Sequence, residues 1–190
     1  DDIMDKALIR RGNPTVHKKF GNNVAILAGD TMLVKSYELL SDIENKRIKE
    51  VISIFNKVAT KICEGQQFDI DFESLSNVAI PDYLEMIEYK TSMLLAGALQ
   101  IGGVLGGATK MQTNNLYKFG KEIGMAFQLQ DDLLDLYSDS KTFGKALGKD
   151  VMTNKKTYLY LKSFELANKK QKGELETLFT CDKISSKDKI

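Results

Sequence analysis

Apolar residues return every three or four positions along most of this chain, the period of helices with one buried face. Over residues 24–40 they fall at Ile26, Leu27, Leu33, Val34, Tyr37 and Leu40, which predicts an amphipathic helix. Asp42 is placed to cap a second helix, whose face carries Ile43, Ile48, Val51, Ile52, Phe55, Val58, Ala59 and Ile62 and which stops near Gly65. A polar connection with Phe68 and Phe72 follows. Pro81 then opens a helix over 82–106, with Leu84, Ile87, Met93, Leu94 and Leu95 buried and a glycine-rich end suited to bending or close packing. A helix over 115–136, a loop over 139–150 and a last helix over 153–170 complete the pattern, before a weakly periodic, lysine-rich tail. At the other end, residues 1–9 read as the end of a helix and Arg10-Arg11-Gly12-Asn13-Pro14-Thr15 as its terminating loop. Sustained strand-type alternation is lacking, so the expected class is all-α, with helices packed antiparallel around a common interior.

Composition narrows the setting. With 190 residues, 43% of them hydrophobic and 28% charged, the chain can bury a sizeable core and reads as one globular unit. The formal net charge of +1 excludes a whole-molecule attraction to nucleic acid or an anionic membrane, so anion binding has to come from local clusters. Cys63 and Cys181 lack metal-ligand spacing and are too few for a disulfide framework, which suits a reducing cytoplasm. The longest apolar run, 93–108, is interrupted by Gln100 and five glycines, and falls short of the roughly 18 to 20 residues that span a bilayer. No transmembrane segment and no secretory signal are expected.

The chemistry concentrates in Phe127-Gln128-Leu129-Gln130-Asp131-Asp132-Leu133-Leu134-Asp135. Gln128, Asp131, Asp132 and Asp135 stand at i, i+3, i+4 and i+7, one stripe of carboxylate and amide groups on a helix. Like charges at that spacing weaken a helix, and no Lys or Arg is interleaved to offset them, so the cluster points to a bound cation. Asp1-Asp2-Ile3-Met4-Asp5 repeats the D-D-x-x-D pattern 130 positions earlier. Carboxylates without nearby histidine or thiolate suit Mg²⁺, which is commonly held by one or two carboxylates together with substrate phosphate oxygens. A phosphorylated ligand would need basic neighbours, and Arg10 and Arg11 follow the first motif as Lys145, Lys149, Lys155 and Lys156 follow the second.

Asp1-Asp2-x-x-Asp5, Arg10-Arg11-Gly12, Gly65-Gln66, Lys90-Thr91, Phe127-Gln128-x-x-Asp131-Asp132-x-x-Asp135, Gly144-Lys145-x-x-Gly148-x-Asp150 and Lys155 together resemble the ordered motifs of the trans-isoprenyl diphosphate synthases, the polyprenyl synthetase family. The resemblance implies the all-α isoprenoid synthase fold, with two Asp-rich helices facing each other across an apolar cavity. It implies head-to-tail condensation of isopentenyl diphosphate with an allylic diphosphate such as dimethylallyl, geranyl or farnesyl diphosphate. Three Mg²⁺ ions per site would be held by Asp1, Asp5, Asp131 and Asp135, with Asp2 and Asp132 in support. Arg10, Lys90, Lys145 and Lys155 would contact the allylic diphosphate, Arg11 the isopentenyl diphosphate, and Thr91 and Gln128 would lie beside the reacting carbons. Lys90, Thr91 and Gln128 are the candidate catalytic residues, and released diphosphate the proton acceptor. His17, expected in a loop, has no part in this scheme. A homodimer is implied as well, with the apolar helix around 93–106 a candidate interface.

The family's catalytic domain extends further at both ends, so residues 1–190 are expected to be one catalytic domain that is incomplete at its N- and C-terminal ends. A class I terpene cyclase also uses D-D-x-x-D, but its second metal motif is usually of the Asn/Ser/Glu kind, against which the second D-D-x-x-D and Gly144-Lys145 argue. A non-catalytic subunit that regulates a prenyl synthase typically lacks one Asp motif. A ferritin-type di-metal bundle expects Glu-x-x-His pairs, and no Glu in this sequence has a His three residues on.

Overall fold

The structure is a computed structural model that describes residues 2–43, 45–75, 77–137 and 149–180. Among the described residues the chain is helical apart from one two-residue ladder, which bears out the all-α class. It divides into two compact units, Asp1–Asn56 and Lys57–Ile190.

The first unit begins with a helix-ending turn rather than a helix running to Ile9. The Lys6 N–H donates to the Ile3 carbonyl and the Ala7 N–H to the Asp2 carbonyl, with Lys6 at φ 49°, the bonding of a Schellman cap. The expected loop is a hairpin: β1 (Ile9–Arg10) pairs antiparallel with β2 (Asn13–Pro14), Arg10 opposite Asn13. Arg11 and Gly12 have φ of 52° and 75°, the pair of positive values that a two-residue type I′ turn requires. Thr15 is buried and gives its hydroxyl to the Ala7 carbonyl at 2.7 Å, tying the hairpin to the cap. His17 stands in α1 (Val16–Phe20), not in a loop. Next comes α2 (Asn22–Ser41), which has no buried residue: Ile26, Leu27, Leu33, Val34 and Tyr37, the apolar positions of the expected amphipathic helix, are exposed. Periodicity identifies an apolar face but not what covers it. Asp42 follows α2 as its C-terminal cap instead of opening the next helix.

That helix, α3 (Asn45–Ser74), runs past Gly65 for more than two further turns, so Phe68 and Phe72 belong to it. Gly65 is retained for space rather than as a stop, because a Cβ there would overlap the backbone nitrogen of Lys90. In the second unit α4 (Ile80–Ile87) leads through a π-helical turn, Glu88–Ser92, into α5 (Met93–Leu105). The N–H of Met93 reaches the Glu88 carbonyl, five residues back, so one extra residue is accommodated and the buried face shifts. After the turn the buried residues are Met93, Ala96, Gly97 and Val104, and Leu94 and Leu95, expected inside, are exposed.

Against α5 lies α6 (Lys110–Tyr137). Gly120 and Gly124 allow backbone contact between the two: a Cβ at Gly120 would lie 2.6 Å from Ala96 Cα, and one at Gly124 2.6 Å from Ser92 Cα. Then come the short α7 (Lys149–Met152), α8 (Tyr158–Leu166) and α9 (Lys169–Thr180). The helix expected over 153–170 thus starts later and is split. Asn168 and Gln171 exchange side-chain to backbone hydrogen bonds at 2.9 and 3.0 Å, a reciprocal N-terminal cap that begins a new helix. Tyr83, Met86, Ile87 and Leu161 centre the core of this unit, with Phe68, Phe72, Met125 and Leu129 packed around them. No helix among the described residues is long and apolar enough to cross a membrane.

Candidate functional site

The first Asp motif is an exposed, locally built feature. Arg10, held on the hairpin strand, donates its Nε to Asp2 Oδ1 at 2.8 Å, and a guanidinium Nη reaches the same oxygen. Asp5 and Arg11 are exposed, Arg11 at the hairpin tip. The hairpin turn therefore presents the two arginines within a few residues of the carboxylates. Asp1 lies outside the described residues.

The second motif is buried. On α6, Asp132 and Asp135 are 4% and 8% exposed, and Asp131 is half-buried. Asp132 accepts from the Tyr83 hydroxyl on one oxygen and from Gln128 Nε2, at 3.1 Å, on the other. Gln128 in turn accepts the Thr91 hydroxyl at 2.9 Å. Burial raises the Asp132 pKa above the usual carboxylate value, and hydrogen bonds from Tyr83, Gln128 and the Tyr158 backbone oppose the rise. Burial likewise pushes the Tyr83 hydroxyl far above its ordinary value, with the Asp132 charge adding to it.

The π turn places two consecutive side chains to different purposes. Thr91 reaches Gln128, while Lys90 Nζ donates to Asp69 Oδ2 at 2.6 Å. Lys155 Nζ stands 3.4 Å from the same Asp69 oxygen, so one buried carboxylate gathers two ammonium groups from distant segments. Lys155 is positioned by a second Schellman cap: its N–H returns to the Asp150 carbonyl at 2.8 Å, with Asn154 at φ 56°. Lys156 points the other way and caps the end of α3 through the Phe72 carbonyl at 2.6 Å; burial lowers its pKa. Lys145 lies outside the described residues, as do positions 139–148 of the loop expected over 139–150, whose last two residues, Lys149 and Asp150, begin α7 instead.

Asp150 closes the cluster. Its backbone N–H donates to Asp135 Oδ2 at 3.1 Å. Its carboxyl is pushed up to about 6, first by burial and then by Asp135, Asp132 and Asp131, against a lowering influence from Lys155. Such a field is that of a region with excess negative charge. Among the described residues no three acid, imidazole or thiol side chains converge into a complete metal site. A partial, all-oxygen donor set in an electronegative field fits Mg²⁺, which takes its remaining ligands from water or phosphate oxygens.

Tyr83 and Asp69 are site residues that the sequence pattern did not single out, and Asp150, at the end of a quoted motif, is given no role by it. Asp69 stands one helical turn after Gly65, a signal hidden by ending the helix at Gly65. Tyr83 carries no such mark, since an aromatic residue on an apolar helix face reads as core.

An all-α fold that sets acidic side chains of one helix beside paired lysines defines a helical protein with carboxylates and ammonium groups converging at one site. The polyprenyl synthetase sequence profile matches residues 1–190, and the chain belongs to that family. It is 46% identical over 167 residues to the geranylgeranyl diphosphate synthase of Methanosarcina mazei, an alignment covering 87% of this chain and 52% of that protein. With the geranylfarnesyl diphosphate synthase of Natronomonas pharaonis the identity is 44% over 163 residues, covering 85% and 48%. Among solved structures, a geranylgeranyl pyrophosphate synthase superposes with a TM-score of 0.93 at 43% identity, covering 100% of this chain and 58% of that one. A decaprenyl diphosphate synthase from Rhodobacter capsulatus gives 0.87 at 30% identity, covering 100% and 57%. The fold is therefore that of the isoprenyl diphosphate synthases, and the chain spans about half the length of the curated relatives it matches.

Proposed function

We propose that this protein condenses isopentenyl diphosphate head-to-tail with an allylic diphosphate, releasing diphosphate and a linear isoprenyl diphosphate longer by one five-carbon unit. The observation that carries the reading is the cluster of buried Asp132 and Asp135 with half-buried Asp131 and Asp150, beside Lys90 and Lys155, which Asp69 holds together.

Asp131 and Asp135 are the residues on α6 that would hold Mg²⁺, as Asp1, Asp2 and Asp5 would in the first motif, three ions serving each site. When bound, Mg²⁺ supplies Lewis-acid stabilisation of a departing diphosphate. Lys90 and Lys155, together with Arg10 and Lys145, bind the allylic diphosphate, and Arg11 binds isopentenyl diphosphate. As the diphosphate takes up the lysine contacts it replaces Asp69, whose carboxylate keeps both ammonium groups convergent beforehand. Thr91 Oγ1 and Gln128 direct their dipoles at the allylic carbon as positive charge develops there, an arrangement fixed before reaction and so requiring no reorganisation. The double bond of isopentenyl diphosphate then attacks the allylic carbon, and the released diphosphate accepts the proton that is lost. The protein is proposed to act as a cytoplasmic homodimer on a dimethylallyl, geranyl or farnesyl primer.

The test is incubation of the full-length protein with labelled isopentenyl diphosphate, each allylic diphosphate and Mg²⁺, followed by chromatography of the dephosphorylated products. Linear prenols that depend on Mg²⁺ and vanish in Asp131→Ala support the reading. Cyclic products, or none from a protein that binds the allylic diphosphate, overturn it.

A further inference from the structure

We propose that Tyr83 and Asp132 form a positioning relay that fixes the polarity of the Thr91 hydroxyl, so that Thr91 offers only lone pairs to the reacting carbon. The proposal rests on the prenyl-transfer reading of the site. Four side chains from three helical segments make an unbroken hydrogen-bond chain: Tyr83 to Asp132, Gln128 to Asp132, and Thr91 to Gln128. Its direction is decided at one end. Asp132 accepts the Gln128 amide nitrogen on one oxygen and the Tyr83 hydroxyl on the other, which leaves the Gln128 carbonyl oxygen on the far side. That oxygen only accepts, so Thr91 has to donate to it. Once its single proton is committed, Thr91 Oγ1 has nothing but lone pairs to present elsewhere, and a developing allylic cation is stabilised by lone pairs.

Tyr83 serves the remote side of this arrangement. At 2% exposure it occupies the second oxygen of Asp132, prevents the carboxylate from turning and leaves no access for water to take its place. Beside Thr91, the backbones of the π turn and α6 are in contact through Ser92 and Gly124, which holds the two ends of the Thr91–Gln128 bond together. Asp132 then has a task distinct from that of Asp131 and Asp135. Both of its oxygens are engaged inside the protein, and it orients the amide instead of ligating metal.

The experiment compares full-length wild-type protein with Asp132→Asn and Tyr83→Phe by steady-state kinetics, Mg²⁺ titration and proton NMR. In D132N the new side chain can offer an N–H to Gln128, whose amide then turns over and gives its own N–H to Thr91. The Thr91 proton would point toward the reacting carbon. We expect kcat to fall about a hundredfold, with KM for the allylic diphosphate and the half-saturating Mg²⁺ concentration within about twofold of wild type. Tyr83→Phe keeps the ring and its packing, and should lower kcat about tenfold with the same unchanged KM. The double variant should be no worse than D132N alone, as expected of residues acting in series. A downfield, slowly exchanging proton from the Tyr83 hydroxyl should be present in wild type and absent from both variants. A several-fold higher Mg²⁺ requirement in D132N, or wild-type kcat in Y83F, overturns the relay; if D132N fails to fold, Y83F decides. Wild-type protein that retains the downfield proton but transfers no prenyl group overturns the prenyl-transfer reading and supports the hydrogen-bond order.

Discussion

The two acid-rich stretches share a spacing and differ in how they are built. Around Asp2 and Arg10 the contacts described here span eight residues or fewer, and the ion pair is 47% and 28% exposed on its two sides. Around Asp132 and Asp69 the partners are drawn from α3, α4, the π turn, α6 and the segment after α7, and the carboxylates are buried. Water screens the first arrangement and is excluded from the second. The same motif thus yields a weakly coupled surface pair in one place and a strongly perturbed network in the other.

The largest expected effect attacks the buried region directly. Asp131→Ala or Asp135→Ala in the full-length protein should reduce prenyl transfer by about a thousandfold while the helical far-ultraviolet spectrum is retained. Residual activity within tenfold of wild type would place the metal elsewhere. Next comes close packing. Gly65→Ala forces a methyl group into the Lys90 backbone and should cost about 3 kcal/mol in denaturant unfolding, with a matching loss of allylic diphosphate affinity. Gly29→Ala on exposed α2, where nothing lies within 4 Å, should instead stabilise by about 0.5 to 1 kcal/mol. Equal effects of the two would abolish the distinction between the regions.

A smaller effect comes from pH. The folded pKa of Asp150, about 6, lies above its unfolded value of about 3.9, so the native state holds the proton more tightly. Its contribution to stability is full below the unfolded pKa and is lost as pH rises through 6. Mg²⁺-free protein should therefore lose about 2 kcal/mol between pH 4 and 6.5 relative to Asp150→Asn. Parallel unfolding profiles for the two proteins across that range would contradict the buried acidic field. Last, Arg10→Ala should change stability by less than about 1 kcal/mol, since Arg10 is exposed and its partner only half-buried. A loss above 2 kcal/mol would show the first motif to be as strongly coupled as the second.

What was legible in the sequence follows the same division. The hairpin arginines, the α6 stripe and Lys155 could be picked out as local patterns of residue types, whereas Lys90-Thr91 stood out only through the family resemblance. Asp69 and Tyr83 could not, because what makes them part of the site is a hydrogen bond across 21 and 49 positions. Leu94 and Leu95 show the same limit within one helix. Their periodicity is apolar, and one extra residue in the π turn rotates them out of the core.

The sequence by itself determined the helical class, the acidic stripe and the basic residues that accompany it, since these depend on period and charge along the chain. Tertiary structure decided which carboxylates are desolvated, that Asp69 gathers two lysines, and that Asp132 faces a tyrosine and an amide. Desolvation and hydrogen-bond direction arise from groups far apart in the chain, and only packing brings such groups together.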